Sequence, residues 1–287
     1  MARILVTGNV ARDVVNLVDH YPAEDEEMRA ERQEIRPGGN AANTAAVLAQ
    51  HGHETQLLGC IARDAAGESL LLSMRCRNIG TQHCPLVSGT TPTSYITLNQ
   101  QNGSRTIVHY RDLPELAASD FPANALANYD WFHFEGRNVA ETRKMLAKVY
   151  TGKAKPRISL EVEKPRNDIE TLYEFADVLL FSHAYAHSQQ FEDPTLFLQS
   201  IRARVENSIL ICSWGESGAA GMDKAGRIFT QAAWQPPSVV DTVGAGDTFN
   251  AGIVHAFNSG WTLSQALSYA CELAGRKVAQ QGLDNLC

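Results

Sequence analysis

The 287-residue chain reads as an α/β protein with a mostly parallel central sheet and a small antiparallel sheet beside it. Three observations predict this. Short apolar runs alternate with segments of helical period, which is the pattern of βα units. Two β-branched, alternating stretches flank an Asn102-Gly103 pair, a strong hairpin signal. A glycine turn, Gly244-Ala245-Gly246, opens an amphipathic segment in which Phe249, Ile253 and Phe257 recur every four residues.

The runs Ile4–Val6, Leu57–Ile61, Trp131–Phe134, Val178–Phe181 and Ile209–Cys212 are apolar throughout, as strands buried on both faces require. Each is expected to lead into a turn and a helix. Thr93–Asn99 and Ser104–Tyr110 pair through Gln100-Gln101-Asn102-Gly103, and the period-two stretch Val14–Val18 is expected to pair with Met28–Ile35. Gly38-Gly39-Asn40-Ala41-Ala42-Asn43 opens a small-residue helix over Thr44–Ala49. After Ile209–Cys212 a hairpin turns through Asp223-Lys224-Ala225-Gly226. The helix from Ala245 ends at Asn258-Ser259-Gly260, and Thr262-x-x-Gln265 caps a last one near 263–274, with Leu263, Ala266, Leu267, Ala270 and Leu273 on one face. A hydrophobic content of 44% supports one large core, so residues 1–287 are read as a single domain.

Bulk properties exclude several functions. A net charge of −7 argues against a nucleic-acid or anionic-membrane partner, since both need a basic face, and still allows a local positive pocket. Six cysteines without a C-x-x-C pair read as reduced thiols of a cytoplasmic protein. Met1-Ala2-Arg3 leads straight into a strand, without the apolar region of a signal peptide, and no apolar stretch is long enough to span a bilayer. No G-x-G-x-x-G follows the first strand and no G-x-x-x-x-G-K-[ST] occurs, so a dinucleotide-binding dehydrogenase and a P-loop kinase both lose support. The nine histidines show no paired ligand spacing and are assigned no metal.

Chemistry concentrates at the run Asp241–Gly252. Gly244, Ala245 and Gly246 leave the free N–H groups of a helix start open to a phosphate or an oxyanion. Asp247 in the first turn then faces the anion, an arrangement suited to proton transfer and hence to phosphoryl transfer. Its bland role is a helix-start carboxylate. Asn40 and Asn43 share a helix face and offer donors and acceptors to vicinal hydroxyls, although on these residues alone Gly38-Gly39 as a turn with Asn40 as its N-cap is the favoured reading. Asp13 follows a strand at the sheet edge where ligands bind, or serves only its turn. Asp25 stands in the acidic run Glu24–Glu27, which alone reads as solvated loop. Arg105 beyond the hairpin turn is either solvated or an anion clamp. Gly215-Glu216-Ser217-Gly218 reads as a turn after a buried strand, and Glu161 and Glu163 sit two apart on a strand, near a metal or paired with Lys164 and Arg166.

The Asp241–Gly252 run resembles the second signature, and Gly38–Asn43 the first, of the ribokinase-like (PfkB) carbohydrate kinases. Asp19–Asp25, Gly103–Ile107, Glu135–Asn138 and Glu161–Arg166 are similar to the branch that phosphorylates ketohexoses, and the likeness spans nearly the whole chain. The resemblance implies a ribokinase-like three-layer α/β fold, with a β lid formed by about 13–36 and 91–112. It implies an ATP-dependent sugar kinase acting on a primary hydroxyl of a ketohexose, such as fructose giving fructose 1-phosphate, with Asp247 as general base. Sugar contacts carried over are Asp13, Asp25, Gly39, Asn40, Asn43 and Asp247; nucleotide contacts are Arg105, Gly215, Glu216, Ser217, Gly218, Gly244, Ala245 and Gly246. Mg²⁺ is implied, but the family's Asn-x-x-Glu element is absent at Ser182-His183-Ala184-Tyr185, which leaves the metal-ordering residue open. Monovalent-cation activation and a homodimer through the lid also belong to the resemblance. Another sugar, a nucleoside, or a non-catalytic sugar sensor of the same fold are the alternatives.

Overall fold

The structure, a computed structural model, describes residues 1–287 apart from the side chain of Ala123. Strand β1 (Arg3–Thr7) shows why the apolar runs become a two-sided sheet: Ile4 and Val6 enter one core, Leu5 the other. One edge of β1 pairs in parallel with β4 (Glu54–Leu58), which in turn pairs with the short β6 (Ile79–Gly80). The other edge pairs with β10 (Trp131–Glu135), followed by β11 (Arg157–Val162), β12 (Val178–Phe181) and β13 (Ile209–Ser213), all parallel. The antiparallel hairpin β14 (Ala219–Met222) and β15 (Ile228–Gln231) completes a nine-stranded sheet.

Helices α1 (Asn40–Gln50), α2 (Ala65–Cys76), α6 (Ala245–Asn258) and α7 (Leu263–Val278) pack on the Ile4–Val6 face. Helices α3 (Val139–Thr151), α4 (His183–Ser188) and α5 (Pro194–Arg202) cover the Leu5 face. The result is the three-layer arrangement expected from the sequence.

A separate four-stranded sheet has the order β3-β2-β8-β9, built from β2 (Ala11–Val18), β3 (Arg32–Gly38), β8 (Thr93–Asn99) and β9 (Arg105–Tyr110). The strands β2 and β8 run parallel, and the outer pairs antiparallel. Val15, Ile96 and Leu98 on its inner side cluster with Val243, which fastens this sheet to the segment ahead of α6. Its outer side leaves Ile35, Tyr95 and Val108 exposed across adjoining strands. The remaining short strands, β5 (Ile61–Ala62) and β7 (Leu86–Val87), pair with each other.

Five features differ from expectation. The partner of β2 is Arg32–Gly38, shifted from Met28–Ile35, because the register sets Ala11 opposite Gly38 and so delivers the chain to the start of α1. That helix begins at Asn40 with Gly39 as its cap; at φ 93 a side chain on Gly39 would also strike the Asn9 carbonyl, 2.5 Å from the Cβ position. The run Leu57–Ile61 is split at Gly59, where a Cβ would lie 2.6 Å from the Gly8 carbonyl oxygen. No helix follows β1, since the chain passes directly into β2. Helix α7 continues to Val278, past the expected end near 274.

Candidate active site

Between β4 and β10 the chain order reverses on the two sides of β1, and the C-terminal ends of such strands form a crevice in open α/β sheets. The Asn9 N–H just after β1 donates to Glu135 Oε2 at the end of β10 over 2.7 Å. Above this point lies the N-terminus of α6. Gly244 caps it at φ 82, ψ 5, a left-handed geometry that glycine adopts without strain, and no side chain caps the first turn. Nothing lies within 4 Å of where a Cβ on Gly246 would stand, so that amide is approachable.

Asp247 sits in the first turn of α6 with only 7% of its surface exposed. Its Oδ2 accepts a 2.7 Å hydrogen bond from Asn43 Nδ2 on α1. Burial raises its carboxyl pKa to about 7; the Asn43 bond opposes that rise, and the carboxylates of Glu163, Glu135 and Asp13 reinforce it. An aspartate held near neutrality is suited to accept a proton.

Asp13, on β2, is also buried, and burial raises its pKa against the opposing Ser94 hydrogen bond and the Arg36 charge. Gly38 is obligatory beside it, because a Cβ there would lie 2.2 Å from the Asp13 carboxyl carbon. Asp13 and Asn43 line the same hollow of about 50 Å³. Asn40 does not cap its helix; its Nδ2 donates to Glu161 Oε1 (3.1 Å) and to Glu163 Oε2 (3.2 Å). Glu163 therefore shares a side with Glu161 although β11 ends at Val162. Burial, then the nearby Asp247, Glu135 and Glu163 carboxylates, push Glu161 well above the usual carboxylate range, and its Oε2 is buried with no hydrogen-bond partner among the described residues.

On the opposite side of the α6 start, a cleft of about 740 Å³ is lined by Arg105, Gly215, Glu216, Gly218, Ala245 and Gly246, with Trp234 and Phe249 as apolar wall. Gly218, at φ 98, is required by the close Gln231 carbonyl, 2.0 Å from the Cβ position. Arg105 Nη1 bonds Thr242 Oγ1 at 2.7 Å, and that hydroxyl donates to the Gly103 carbonyl, joining hairpin to turn. Ser217 is exposed, and neither it nor Gly244 lines the cleft. Asp25 is the outlier: it lies at φ 65 on an exposed loop, and its side chain makes no hydrogen bond among the described residues.

Sequence reasoning overlooked the support under this site. Asp241 and Lys277 are both fully buried and form an ion pair of 3.0 Å, with Arg36 Nη2 on the same carboxylate oxygen at 2.9 Å. The signal was present: Lys277 falls four residues after Leu273 on the apolar face of α7. Arg137 bonds Glu135 and Glu115, and Arg111 reaches Asn9 Oδ1 at 2.8 Å. Among the described residues no group of three or more His, Cys, Asp or Glu is placed to chelate a metal. No helix is long and apolar enough to cross a membrane.

An uncapped helix start that faces a large cleft on one side and a buried aspartate with a raised pKa on the other is an arrangement suited to phosphoryl transfer. The profile of the pfkB family carbohydrate kinases matches residues 1–287, and the chain belongs to that family; it is an ATP-dependent sugar kinase. It is similar to the ketohexokinase of Mus musculus, 36% identical over 293 residues that cover 99% of this chain and 98% of that protein. Two solved structures share the fold. The ribokinase of Giardia lamblia superposes with a TM-score of 0.85 at 17% identity, covering 99% of this chain and 95% of that one. The Arabidopsis thaliana ribokinase complexed with ribose and ATP gives 0.81 at 20% identity, covering 98% and 94%.

Proposed function

We propose that this kinase phosphorylates a primary hydroxyl of a ketohexose, with fructose to fructose 1-phosphate as the reaction to test first. The observation that carries the mechanism is the Asn43–Asp247 pair beside the uncapped start of α6. Asp247 takes the hydroxyl proton as the phosphoryl group arrives, and the N–H groups of Gly244, Ala245 and Gly246 stabilise charge on the transferring oxygens. The ketohexose itself rests on the likeness to the mouse ketohexokinase.

Asp13, Gly39, Asn40 and Asn43 orient the sugar in this reading. Both hydrogen bonds of Asn40 use its NH₂, which leaves its carbonyl oxygen free to accept from a hydroxyl. A contact from Asp25 requires its exposed loop to move. Arg105, Gly215, Glu216, Ser217 and Gly218 serve the nucleotide, with the cleft of about 740 Å³ as the adenosine side. Mg²⁺ supplies charge neutralisation on the donor phosphates. The unpartnered Glu161 Oε2 and the adjacent Glu163 fit a role toward its hydration shell, since bound water offers the donors that a buried carboxylate oxygen lacks.

The chain works as one kinase unit over 1–287, with about 13–36 and 91–112 as its lid. A homodimer through the exposed Ile35, Tyr95 and Val108 would cover the apolar outer side of that sheet. The six free cysteines suit the cytoplasm. Monovalent-cation dependence is read by comparing KCl with tetramethylammonium chloride.

The test is a coupled ADP-release assay with fructose, other ketoses, ribose and a nucleoside, beside calorimetric binding. Fructose is expected to give the highest kcat/KM. Turnover confined to ribose or a nucleoside would replace the ketohexose reading, and sugar binding without any ADP release would favour the sensor.

A further inference from the structure

Lys277 is fully buried, and its ammonium is caged by oxygen. Nζ lies 3.0 Å from Asp241 Oδ2, 2.8 Å from the Asp241 carbonyl and 3.4 Å from the Gln280 carbonyl. Lysine is almost never buried this completely without a partner. An apolar side chain of similar volume in such a position is often neutral or stabilising, so fold stability alone does not explain the charge.

The cage leads to the reaction centre. Asp241 Oδ1 accepts from the Val243 N–H at 2.9 Å, and Oδ2 also takes Arg36 Nη2 and the Gly282 N–H. The main-chain N–H groups of Val240 and Asp241 both donate to the Val278 carbonyl at the end of α7. One carboxylate therefore ties the small sheet, the C-terminal segment and α7 to the turn that ends at Gly244.

We propose that the Lys277 ammonium acts as a built-in monovalent cation that fixes the Asp241–Gly244 turn, and with it the anion-binding start of α6, so that turnover needs no added cation. The role is one of positioning, because Nζ is sealed from any substrate. It rests on the reading of the α6 start as the phosphoryl site.

Burial brings Lys277 down to about 8; Asp241 opposes this, and Arg36 and Arg105 add to it. Between that value and the 10.5 of a free lysine, the unfolded chain binds more protons than the folded one, so this group's contribution to stability rises with pH. Loss of turnover above pH 8 without loss of Tm is the expected signature.

The test uses the full chain with Lys277→Ala and, where alanine does not fold, Lys277→Met, which fills the same space. Turnover of either is expected to fall at least about tenfold with the sugar KM within about twofold, and amide exchange across 241–247 is expected to speed up. Methylammonium chloride should restore at least about threefold of the Lys277→Ala rate and slow the exchange, whereas tetramethylammonium at equal ionic strength should do neither. Wild-type turnover should respond to neither salt. A fully active Lys277→Met enzyme, or a wild type activated by KCl over tetramethylammonium, would overturn the inference. A wild type with no turnover on any sugar would instead sink the kinase reading, and the exchange measurement would then decide the role of Lys277 alone.

Discussion

Asp241 and Asp247 stand in one short run and are both buried, yet their pKa values are shifted in opposite directions. At Asp241 burial works to raise the pKa, but Lys277, Arg36 and the Val243 N–H outweigh it and hold the carboxyl below its usual range. At Asp247 burial meets one amide and three carboxylates, and the pKa climbs to about 7. Residue type and depth do not separate a structural carboxylate from a candidate base; the charges around each one do. The first is tied on both oxygens, whereas the second has neighbours that favour uptake of a proton.

Replacing each aspartate by its amide would break the comparison most directly. Asp247→Asn can still accept from Asn43, and it removes a charge that costs the fold as pH rises from the ordinary aspartate range toward 7. Near pH 7 the variant should be at least as stable as the wild type, while kcat falls at least about a hundredfold and calorimetry still detects both ligands. Near-normal turnover in a folded variant would equate the two residues. Asp241→Asn leaves Lys277 and Arg36 without their counter-charge, which should cost about 3–5 kcal/mol, a Tm loss on the order of 10 °C by calorimetry. An unshifted Tm would remove Asp241 as the anchor.

Smaller changes sharpen the same contrast. Arg105→Ala, on the exposed hairpin, should lower kcat/KM for ATP by about 2 kcal/mol, roughly thirtyfold, with Tm unchanged. Steady-state constants equal to wild type would return Arg105 to solvent. Far from the site, His53 Nε2 and His255 Nδ1 lie 3.0 Å apart, and burial, then repulsion from His51, takes both down to about 4. The folded chain keeps them neutral while the unfolded chain protonates below 6.5, so stability should fall as pH drops from 6.5 toward 4. A Tm lower by on the order of 2–4 °C at pH 5 in the wild type, and relieved in His255→Asn, would show it.

The parallel sheet, the hairpin and the helix at Ala245 were legible because each rests on a local pattern: a continuous apolar run, an Asn-Gly turn, a four-residue repeat. The pairing of Asn43 with Asp247 joins α1 to α6 across a long stretch of sequence, and motif spacing does not reveal it; the family likeness gave the two only as sugar contacts. Arg36, Asp241 and Lys277 were illegible as a unit, since charged residues on three separate elements reveal their neutralisation only after packing. Glu161 and Glu163 were legible as a pair but not as the partners of Asn40.

The most direct measurement of the central claim is the pH profile of kcat/KM for the wild-type enzyme with its best sugar, because that ratio reports the free enzyme's essential base. Given Asp247 at about 7, the rate should fall on an acid limb centred near that value. Glu163→Gln, which removes a carboxylate that raises it, should move the limb downward. A rate that stays flat from pH 8 to pH 5 (about two units below the limb) would contradict the account, as would the same limb persisting in the residual turnover of Asp247→Asn.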